Sequence, residues 1–137
     1  SHSYVNVKLF SETIPTPGVL VLRLDQPLFF ANAELSFRMA RKIFNDKASK
    51  ERITEVVLSM EECPDLDGTS VEAILSFSSF VTQRRGALSL CRLHRRARRV
   101  LIAAAHPKIS LDRLSLLSVD RAVKDALARQ ARHGLQS

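Results

Sequence analysis

The sequence predicts an α/β domain with one mostly parallel sheet of four to six strands and about four helices. Its 137 residues are enough for a single domain that buries its own core. Apolar residues make up 45% of the chain and charged residues 26%, a composition typical of globular domains. Strand-like and helix-like patterns alternate along the chain. Because strict alternation implies parallel strands joined by right-handed crossovers, we expect serial βα units after one or two N-terminal strands.

The N-terminal elements are predicted to be strands. Residues 4–10 alternate apolar and polar side chains, which indicates a short strand, and residues 16–18 (TPG) carry a turn signal. Val19–Leu24 reads VLVLRL, a run typical of a strand that is covered on both faces. After Pro27, the apolar residues 28–30 are a candidate for a further short strand.

A first helix is predicted after Asn32, which is a candidate N-cap. Apolar side chains then recur at helical spacing and form one face: Ala33, Phe37, Ala40 and Phe44. A polar stretch over residues 45–52 separates this helix from a buried strand within residues 53–60. An acidic loop with the sequence EECPDLDG follows over residues 61–68.

A second helix is predicted to begin at Thr69 and to take Gly86 as its C-terminal cap. Residues 87–93 alternate as a strand. In the third helix that follows, apolar residues take one side and arginines the other. The His-Pro pair at residues 106–107 ends this helix.

The chain is predicted to close with a short strand near residues 114–117 and a last helix over residues 119–131. We expect one domain over residues 17–131. Residues 1–16 are then an N-terminal strand or linker, and residues 132–137 are a C-terminal tail.

Several function classes are excluded by what the sequence lacks. Its four glycines are too scattered for a phosphate-binding loop. The longest uncharged run, residues 73–83, is too short for a membrane span, which needs about 20 apolar residues, and the N-terminus has no signal-peptide pattern. Cys63 and Cys91 do not make a disulfide framework. No nucleophile, paired acid and base, or metal-ligand pattern appears, so we expect no enzyme, no cofactor and no metal.

The net charge of +7 is concentrated in one stretch. Residues 73–111 contain no acidic residue but hold eight basic ones: Arg84, Arg85, Arg92, Arg95, Arg96, Arg98, Arg99 and Lys108. The rest of the chain is nearly balanced. Such a patch fits anionic lipid, a nucleotide, an acidic protein or nucleic acid. Nucleic acid is not expected, because no base-stacking aromatic residues are interleaved with the arginines.

Three segments carry a family resemblance. Residues 17–34, PGVLVLRLDQPLFFANAE, resemble the opening of the STAS domain in SulP-type anion transporters, where the pattern GVLVxRxDxPLxFANAE is typical. Residues 66–74 are similar to the family signature (V/I)DxT(G/A)xxAL, with Ser70 where many members have glycine. Residues 95–103 and 118–123 match the closing helices of the family. The resemblance covers about residues 17–127.

The resemblance implies a STAS-like fold, which sulfate transporters and anti-sigma-factor antagonists share. It implies a non-enzymatic, C-terminal regulatory and interaction module on the cytoplasmic side of the cell membrane, in a sulfate-permease-type anion transporter. The transmembrane domain of that parent protein is then a partner. The alternative is a free-standing antagonist-like switch that is regulated by phosphorylation at Thr69.

One candidate site is the loop before the second helix, with Asp67, Thr69 and Ser70. Thr69 and Glu72 have the spacing of a capping box, in which the threonine only caps the helix. The alternative is regulation: antagonists of the family are phosphorylated at the matching position. A phosphate on Thr69 would meet free helix N–H groups, but Asp65 and Asp67 would repel it.

The other candidate site is a basic interaction face, made of Arg92, Arg95, Arg96, Arg98 and Arg99. Beneath a membrane, these side chains could bind anionic lipid. A nucleotide phosphate or an acidic protein are the other ligands of matching charge. A solvated surface without a ligand stays open as well.

Overall fold

The computed structural model describes residues 9–105 and 107–136, with side chains through residue 134. Its elements in chain order are β1 (Phe10–Thr16), β2 (Val19–Leu24), α1 (Ala33–Ala48), β3 (Glu55–Ser59), α2 (Gly68–Gln83), β4 (Ala87–Cys91), α3 (Arg95–Ala105), a short 3-10 turn (Leu111–Arg113) and α4 (Val119–Gln136). No helix in this part of the chain combines the length and apolar character that crossing a bilayer requires.

The strands form one sheet in the order β1-β2-β3-β4. β1 pairs antiparallel with β2, whereas β2 with β3 and β3 with β4 are parallel. Helices α1 and α2 make the two crossovers between the parallel strands. The predicted α/β fold, a mostly parallel sheet of four to six strands with about four helices, is therefore confirmed.

Apolar side chains cover both faces of the sheet. Leu20 and Leu22 of β2 belong to the main core, which packs beneath α1, α2 and α3. Val19 and Val21 point to the other face and form a smaller cluster with Ala122 and other residues of α4. This confirms the prediction for VLVLRL, because a strand that is buried on both faces has no need of a polar alternation.

The first strand among the described residues, β1, lies after the strand predicted at residues 4–10. The predicted strand at residues 4–10 falls almost wholly outside the described residues, whereas β1 runs over Phe10–Thr16, where only a linker and a turn were expected. Its sequence, FSETIPT, has weak alternation and contains Pro15. Among the described strands β1 pairs only with β2, and an edge position tolerates proline because one side of the strand needs no ladder hydrogen bonds.

The turn predicted at residues 16–18 is present, and glycine is required there. Gly18 has a φ of 85°, in the left-handed region. A Cβ at this position would lie 2.6 Å from Nε2 of Gln130 in α4. The left-handed backbone favours glycine, and a side chain at this position would also have to displace the amide group of Gln130.

The end of α2 differs from the prediction for Gly86. The left-handed residue is Arg85, with a φ of 67°. The N–H of Arg85 bonds the carbonyl of Thr82, and the N–H of Gly86 bonds the carbonyl of Val81, both at 3.0 Å. This is the hydrogen-bond pattern of a Schellman motif. Gly86 is needed for space instead, since a Cβ there would lie 2.9 Å from Cγ1 of Val81.

The C-terminal region also departs from the prediction in two places. The strand expected at residues 114–117 is reduced to a single parallel bridge between Leu114 and Leu90. The last helix continues past the predicted end at residue 131 to Gln136. His106, expected at the end of the third helix, lies outside the described residues. The domain boundaries predicted from the sequence stay a prediction.

Candidate functional site

Both sequence-predicted sites lie at the carboxyl edge of the parallel strands. Because parallel strands end at the same edge, the loops that follow β2, β3 and β4 are neighbours. These loops are residues 25–32, residues 60–67 and residues 92–94. We call residues 61–67 the acidic loop and the five predicted arginines the arginine face.

The N-cap of α2 is Asp67 and not Thr69, so the predicted capping box is wrong. The helix begins at Gly68, and Oδ1 of Asp67 accepts a hydrogen bond of 2.8 Å from the N–H of Ser70. The carboxylate also matches the positive end of the helix dipole. Thr69 lies inside the first turn, where its backbone is already helical and its side chain is exposed.

Asp67 also connects α2 to the loop after β2. Its Oδ2 accepts a hydrogen bond of 2.8 Å from the N–H of Phe30. The hydrogen bonds from the backbone of Ser70 and from Phe30 lower the pKa of the Asp67 carboxyl below its ordinary value of 3.8. One carboxylate therefore holds two loops of the site together and stays ionised at neutral pH.

The three residues of the predicted regulatory loop have different environments. Asp67 and Thr69 are exposed, whereas Ser70 is fully buried against the core. Only Thr69 of the two hydroxyl residues is open to a modifying enzyme. A phosphate on Thr69 would compete with Asp67 for the N–H of Ser70, because that donor is already engaged.

The five arginines of the arginine face have three different roles. Arg92 forms an ion pair with Glu61, and Nη1 of Arg96 lies 3.6 Å from Oδ2 of Asp65. These pairs join the arginine face to the acidic loop and are solvent-exposed, so each contributes about 0–1 kcal/mol. His94 lies beside them, with its Nε2 2.6 Å from the carbonyl oxygen of Glu61.

Arg98 differs from the sequence prediction, since it is half-buried and serves the fold. Its Nε donates a hydrogen bond of 2.6 Å to the carbonyl oxygen of Leu114. This bond ties α3 to the segment that follows it. Arg95 and Arg99 are exposed, and neither forms an ion pair with another described residue. They are the part of the arginine face that is free for a ligand.

Two exposed phenylalanines form the feature that the sequence prediction missed. Phe29 and Phe30 were expected in a short strand, but they lie in a turn with 47% and 71% of their surface exposed. Their rings pack edge to face with centroids 5.8 Å apart. We call this pair the aromatic tip. It has no neighbouring strand to pair with, and its backbone is held instead by hydrogen bonds to side chains.

The side chain of Asn32 fixes the turn that carries the aromatic tip. Asn32 is the N-cap residue of α1 as predicted, but its side chain makes no capping hydrogen bond. Its Nδ2 donates to the carbonyl of Pro27, and its Oδ1 accepts from the N–H of Phe29, both at 2.9 Å. Together with Asp67, Asn32 gives the aromatic tip a defined backbone. The PLFFANA segment that carried the family resemblance was the sequence signal for it.

The two cysteines are structural residues. Both are buried free thiols. Burial raises the pKa of the Cys63 thiol, and it raises that of Cys91 to about 11. The described residues contain no group of His, Cys, Asp and Glu side chains suited to a metal ion.

Comparisons with known proteins agree with this geometry. The sequence model of the STAS domain family matches residues 11–127. The chain is 30% identical over 78 residues to sulfate transporter 4.1, chloroplastic, of Arabidopsis thaliana, and the match covers 52% of this chain and 11% of that protein. The chain thus spans a small fraction of the length of this relative.

Solved structures that contain this fold include a transporter domain, an anion transporter and an anti-sigma factor antagonist. The STAS domain of a SulP transporter from Vibrio cholerae has a TM-score of 0.66 at 21% identity, covering 88% of each chain. The murine Slc26a9 anion transporter has a TM-score of 0.66 at 20% identity, covering 82% of this chain and 18% of that one. The anti-sigma factor antagonist SpoIIAA has a TM-score of 0.63 at 16% identity, covering 87% and 96%.

The resemblance seen in residues 17–34, the mostly parallel sheet and the family match over residues 11–127 agree with one another. The chain belongs to the STAS domain family.

Proposed function

We propose that this chain is the C-terminal regulatory and interaction domain of a sulfate-permease-type anion transporter, on the cytoplasmic side of the membrane. In this proposal it contacts the transmembrane domain of its parent protein through the aromatic tip. It acts by binding and not by catalysis. The observation that carries the proposal is the exposure of Phe29 and Phe30 on a fixed loop.

Two neighbouring phenylalanines that face water raise the free energy of the domain, and a partner that buries them would lower it. Full burial of one phenylalanine side chain stabilises by about 1.5–3 kcal/mol. Phe30 is 71% exposed and Phe29 is 47% exposed, so much of that free energy is still available. Leu35 and Met39, one turn apart on α1, are exposed as well, at 50% and 37%. An apolar surface of this kind is typical of an interaction site.

The backbone of the aromatic tip is also preorganised for binding. Asn32 and Asp67 hold its backbone through hydrogen bonds of 2.8 to 2.9 Å. A loop that is already ordered loses little conformational entropy when it binds. The transmembrane domain is the partner that the relatives support, since the similar Arabidopsis protein is a sulfate transporter of which this chain matches 11%.

The test uses the full-length parent protein with Phe29→Ser and Phe30→Ser together. We expect reduced sulfate transport or reduced assembly in the membrane, while the isolated domain stays folded and loses only about 1–2 kcal/mol of unfolding free energy for the buried part of the two rings. Leu127→Ser is the matched control, because Leu127 is 40% exposed on α4 and lies away from the tip. Normal transport and assembly in the double variant would contradict the proposal.

The arginine face offers a second contact in the same setting. Arg95 and Arg99 are exposed without an ion pair among the described residues and fit anionic lipid, a nucleotide phosphate or an acidic protein. Near an anionic membrane each would add about 1 kcal/mol. Sedimentation with anionic and neutral liposomes tests lipid binding. Arg95→Gln with Arg99→Gln should abolish a preference for anionic liposomes, and an unchanged preference would exclude these residues.

A free-standing switch regulated by phosphorylation at Thr69 is the second candidate function. The observation in its favour is that Thr69 is exposed in the first turn of α2. Wild type, Thr69→Ala and Ser70→Ala proteins are incubated with cell extract and labelled ATP. The switch predicts that only Thr69→Ala loses the label, because Ser70 is buried. Equal labelling of all three proteins would refute it.

A further inference from the structure

A basic cavity lies at the opposite edge of the sheet, where β3 and β4 begin. Its volume is about 660 Å³. It is bounded by Glu55 of β3, by the turn at Arg85 and Gly86, by Arg113 of the 3-10 turn and by the last turns of α4. We call it the amino-edge cavity. None of the residues of the candidate site at the carboxyl edge lines it.

Arginines dominate the lining of the amino-edge cavity. Five line it, against one carboxylate, that of Glu55: Arg52, Arg85, Arg113, Arg129 and Arg132. They come from segments that are far apart in the sequence. The cavity therefore does not belong to the arginine run that the sequence analysis singled out.

A buried network forms the floor of the cavity. Arg113 binds both carboxylate oxygens of Glu55, through Nη1 at 2.9 Å and Nη2 at 3.3 Å. Arg129 lies 3.7 Å from the same carboxylate and 3.2 Å from Oδ2 of Asp112. Both arginines also donate to Oγ of Ser89. The charges of two arginines and two carboxylates thus cancel; Arg113, Arg129 and Glu55 are largely buried, whereas Asp112 is exposed.

The three arginines of the rim are not compensated. Arg52, Arg85 and Arg132 are exposed, and none forms an ion pair with another described residue. The C-terminal ends of α2 and α4 lie here, and each carries about half a negative charge from its dipole. These ends offset roughly one positive charge in all. The three rim arginines therefore keep about two positive charges that the helix ends do not balance, and these charges face the open cavity.

We propose that the amino-edge cavity binds a polyphosphate group, meaning two or more linked phosphates carried by a small molecule. Guanidinium groups bind phosphate oxygens in a bidentate way and remain charged at any physiological pH. A volume of about 660 Å³ lies within the usual range for small-molecule sites, about 300–1,000 Å³. The rim arginines would bind the phosphates, and the floor would hold the cavity open.

The lining also indicates which part of the ligand is recognised. Apart from the arginines that would bind the phosphates, the described lining offers one ring on which a nucleobase could stack, the exposed imidazole of His133, and it includes no phenylalanine, tyrosine or tryptophan. We therefore expect recognition to rest mainly on the phosphate chain. This inference is independent of the proposed function at the carboxyl edge, because it uses other residues and a separate binding measurement.

Calorimetric titration of the domain with pyrophosphate, tripolyphosphate, sulfate and ATP tests the assignment. We expect saturable binding of one tripolyphosphate, weaker binding of pyrophosphate and still weaker binding of sulfate. ATP should bind about as tightly as tripolyphosphate. Much tighter binding of ATP would overturn recognition through the phosphate chain. The absence of saturable tripolyphosphate binding at low salt would overturn the site, and the arginines would then only offset the helix ends.

A pair of matched double variants locates the binding. Arg85→Asn with Arg132→Gln removes two rim charges, and asparagine tolerates the left-handed backbone of residue 85. This variant should bind tripolyphosphate at least roughly tenfold more weakly, since charge-assisted hydrogen bonds are lost. Lys42→Gln with Lys124→Gln removes the same charge outside both the cavity and the arginine face and should bind normally. An equal loss in both variants would show that only net charge matters, and urea unfolding confirms that both are folded.

Discussion

Removal of the Asp67 carboxylate perturbs the two loops that this side chain joins. In Asp67→Ala, the N–H of Ser70 loses its capping partner, which costs about 1 kcal/mol of unfolding free energy. The N–H of Phe30 loses a bond to a charged acceptor. Because that N–H is near the surface, water replaces part of the bond, and we expect a further loss of at most about 1 kcal/mol. The total is about 1–2 kcal/mol.

Asp67→Asn separates the two contributions. Its amide oxygen can still cap α2, but its NH₂ group cannot accept a bond from Phe30. We expect about half of the loss seen in the alanine variant. The backbone amide of Phe30 should exchange with solvent faster in both variants. Because the chain contains no tryptophan, urea unfolding is best followed by far-UV circular dichroism, with amide exchange measured by NMR.

The pH dependence follows from the direction of the Asp67 pKa shift. The folded-state pKa lies below the ordinary value of 3.8, so the ionised carboxylate stabilises the fold above that value. This stabilisation is lost as the pH falls through the lowered folded-state pKa. Wild type and Asp67→Ala should therefore differ at neutral pH and converge in acid. Equal stability at neutral pH, or a larger loss from Thr69→Ala, would refute the assignment of the cap.

Four further substitutions or treatments have expected results of their own. Thr69→Ala should change the free energy of unfolding by less than about 0.5 kcal/mol in urea, because Thr69 is exposed and caps nothing. Arg85→Gly should raise it by about 1 kcal/mol, since residue 85 has a φ of 67°. Glu55→Ala should lower it by about 3 kcal/mol, because the half-buried Arg113 loses its carboxylate; a loss under 1 kcal/mol would contradict this. Cys63 and Cys91 should react with a thiol reagent at mildly alkaline pH only after denaturation, as mass spectrometry would show.

The sequence predicted those parts of the fold that depend on hydrophobic pattern. The run VLVLRL indicated a strand that is buried on both faces, and the spacing of Phe37 and Phe44 indicated the buried face of α1. It did not predict β1 at Phe10–Thr16, because an edge strand is selected by pairing with its neighbour more than by its own alternation. The same limit applies to residues 28–30, which have strand-like side chains but no partner strand.

The sequence analysis named the loop at Asp67 and Thr69 and the arginine face as two separate candidate sites. It did not predict that both lie at one edge of the sheet. The choice between Asp67 and Thr69 as N-cap depends on where the backbone leaves the extended conformation, and Asp67 is the extended residue, with a ψ of 171°. Long-range contacts could not be predicted at all. The hydrogen bond from Phe30 to Asp67 joins residues 37 positions apart, and the arginines of the amino-edge cavity come from four separate segments.

The most direct test of the central claim is photo-cross-linking at the aromatic tip in the full-length parent protein. Phe30→Cys, in native membranes, is labelled with a thiol-reactive photo-cross-linker, and the buried Cys63 and Cys91 should add little background. Leu127→Cys on α4 is the control. The proposed docking predicts that residue 30, and not residue 127, cross-links to peptides of the transmembrane domain. Cross-links from residue 30 that reach only soluble proteins, or that match those from residue 127, would contradict it.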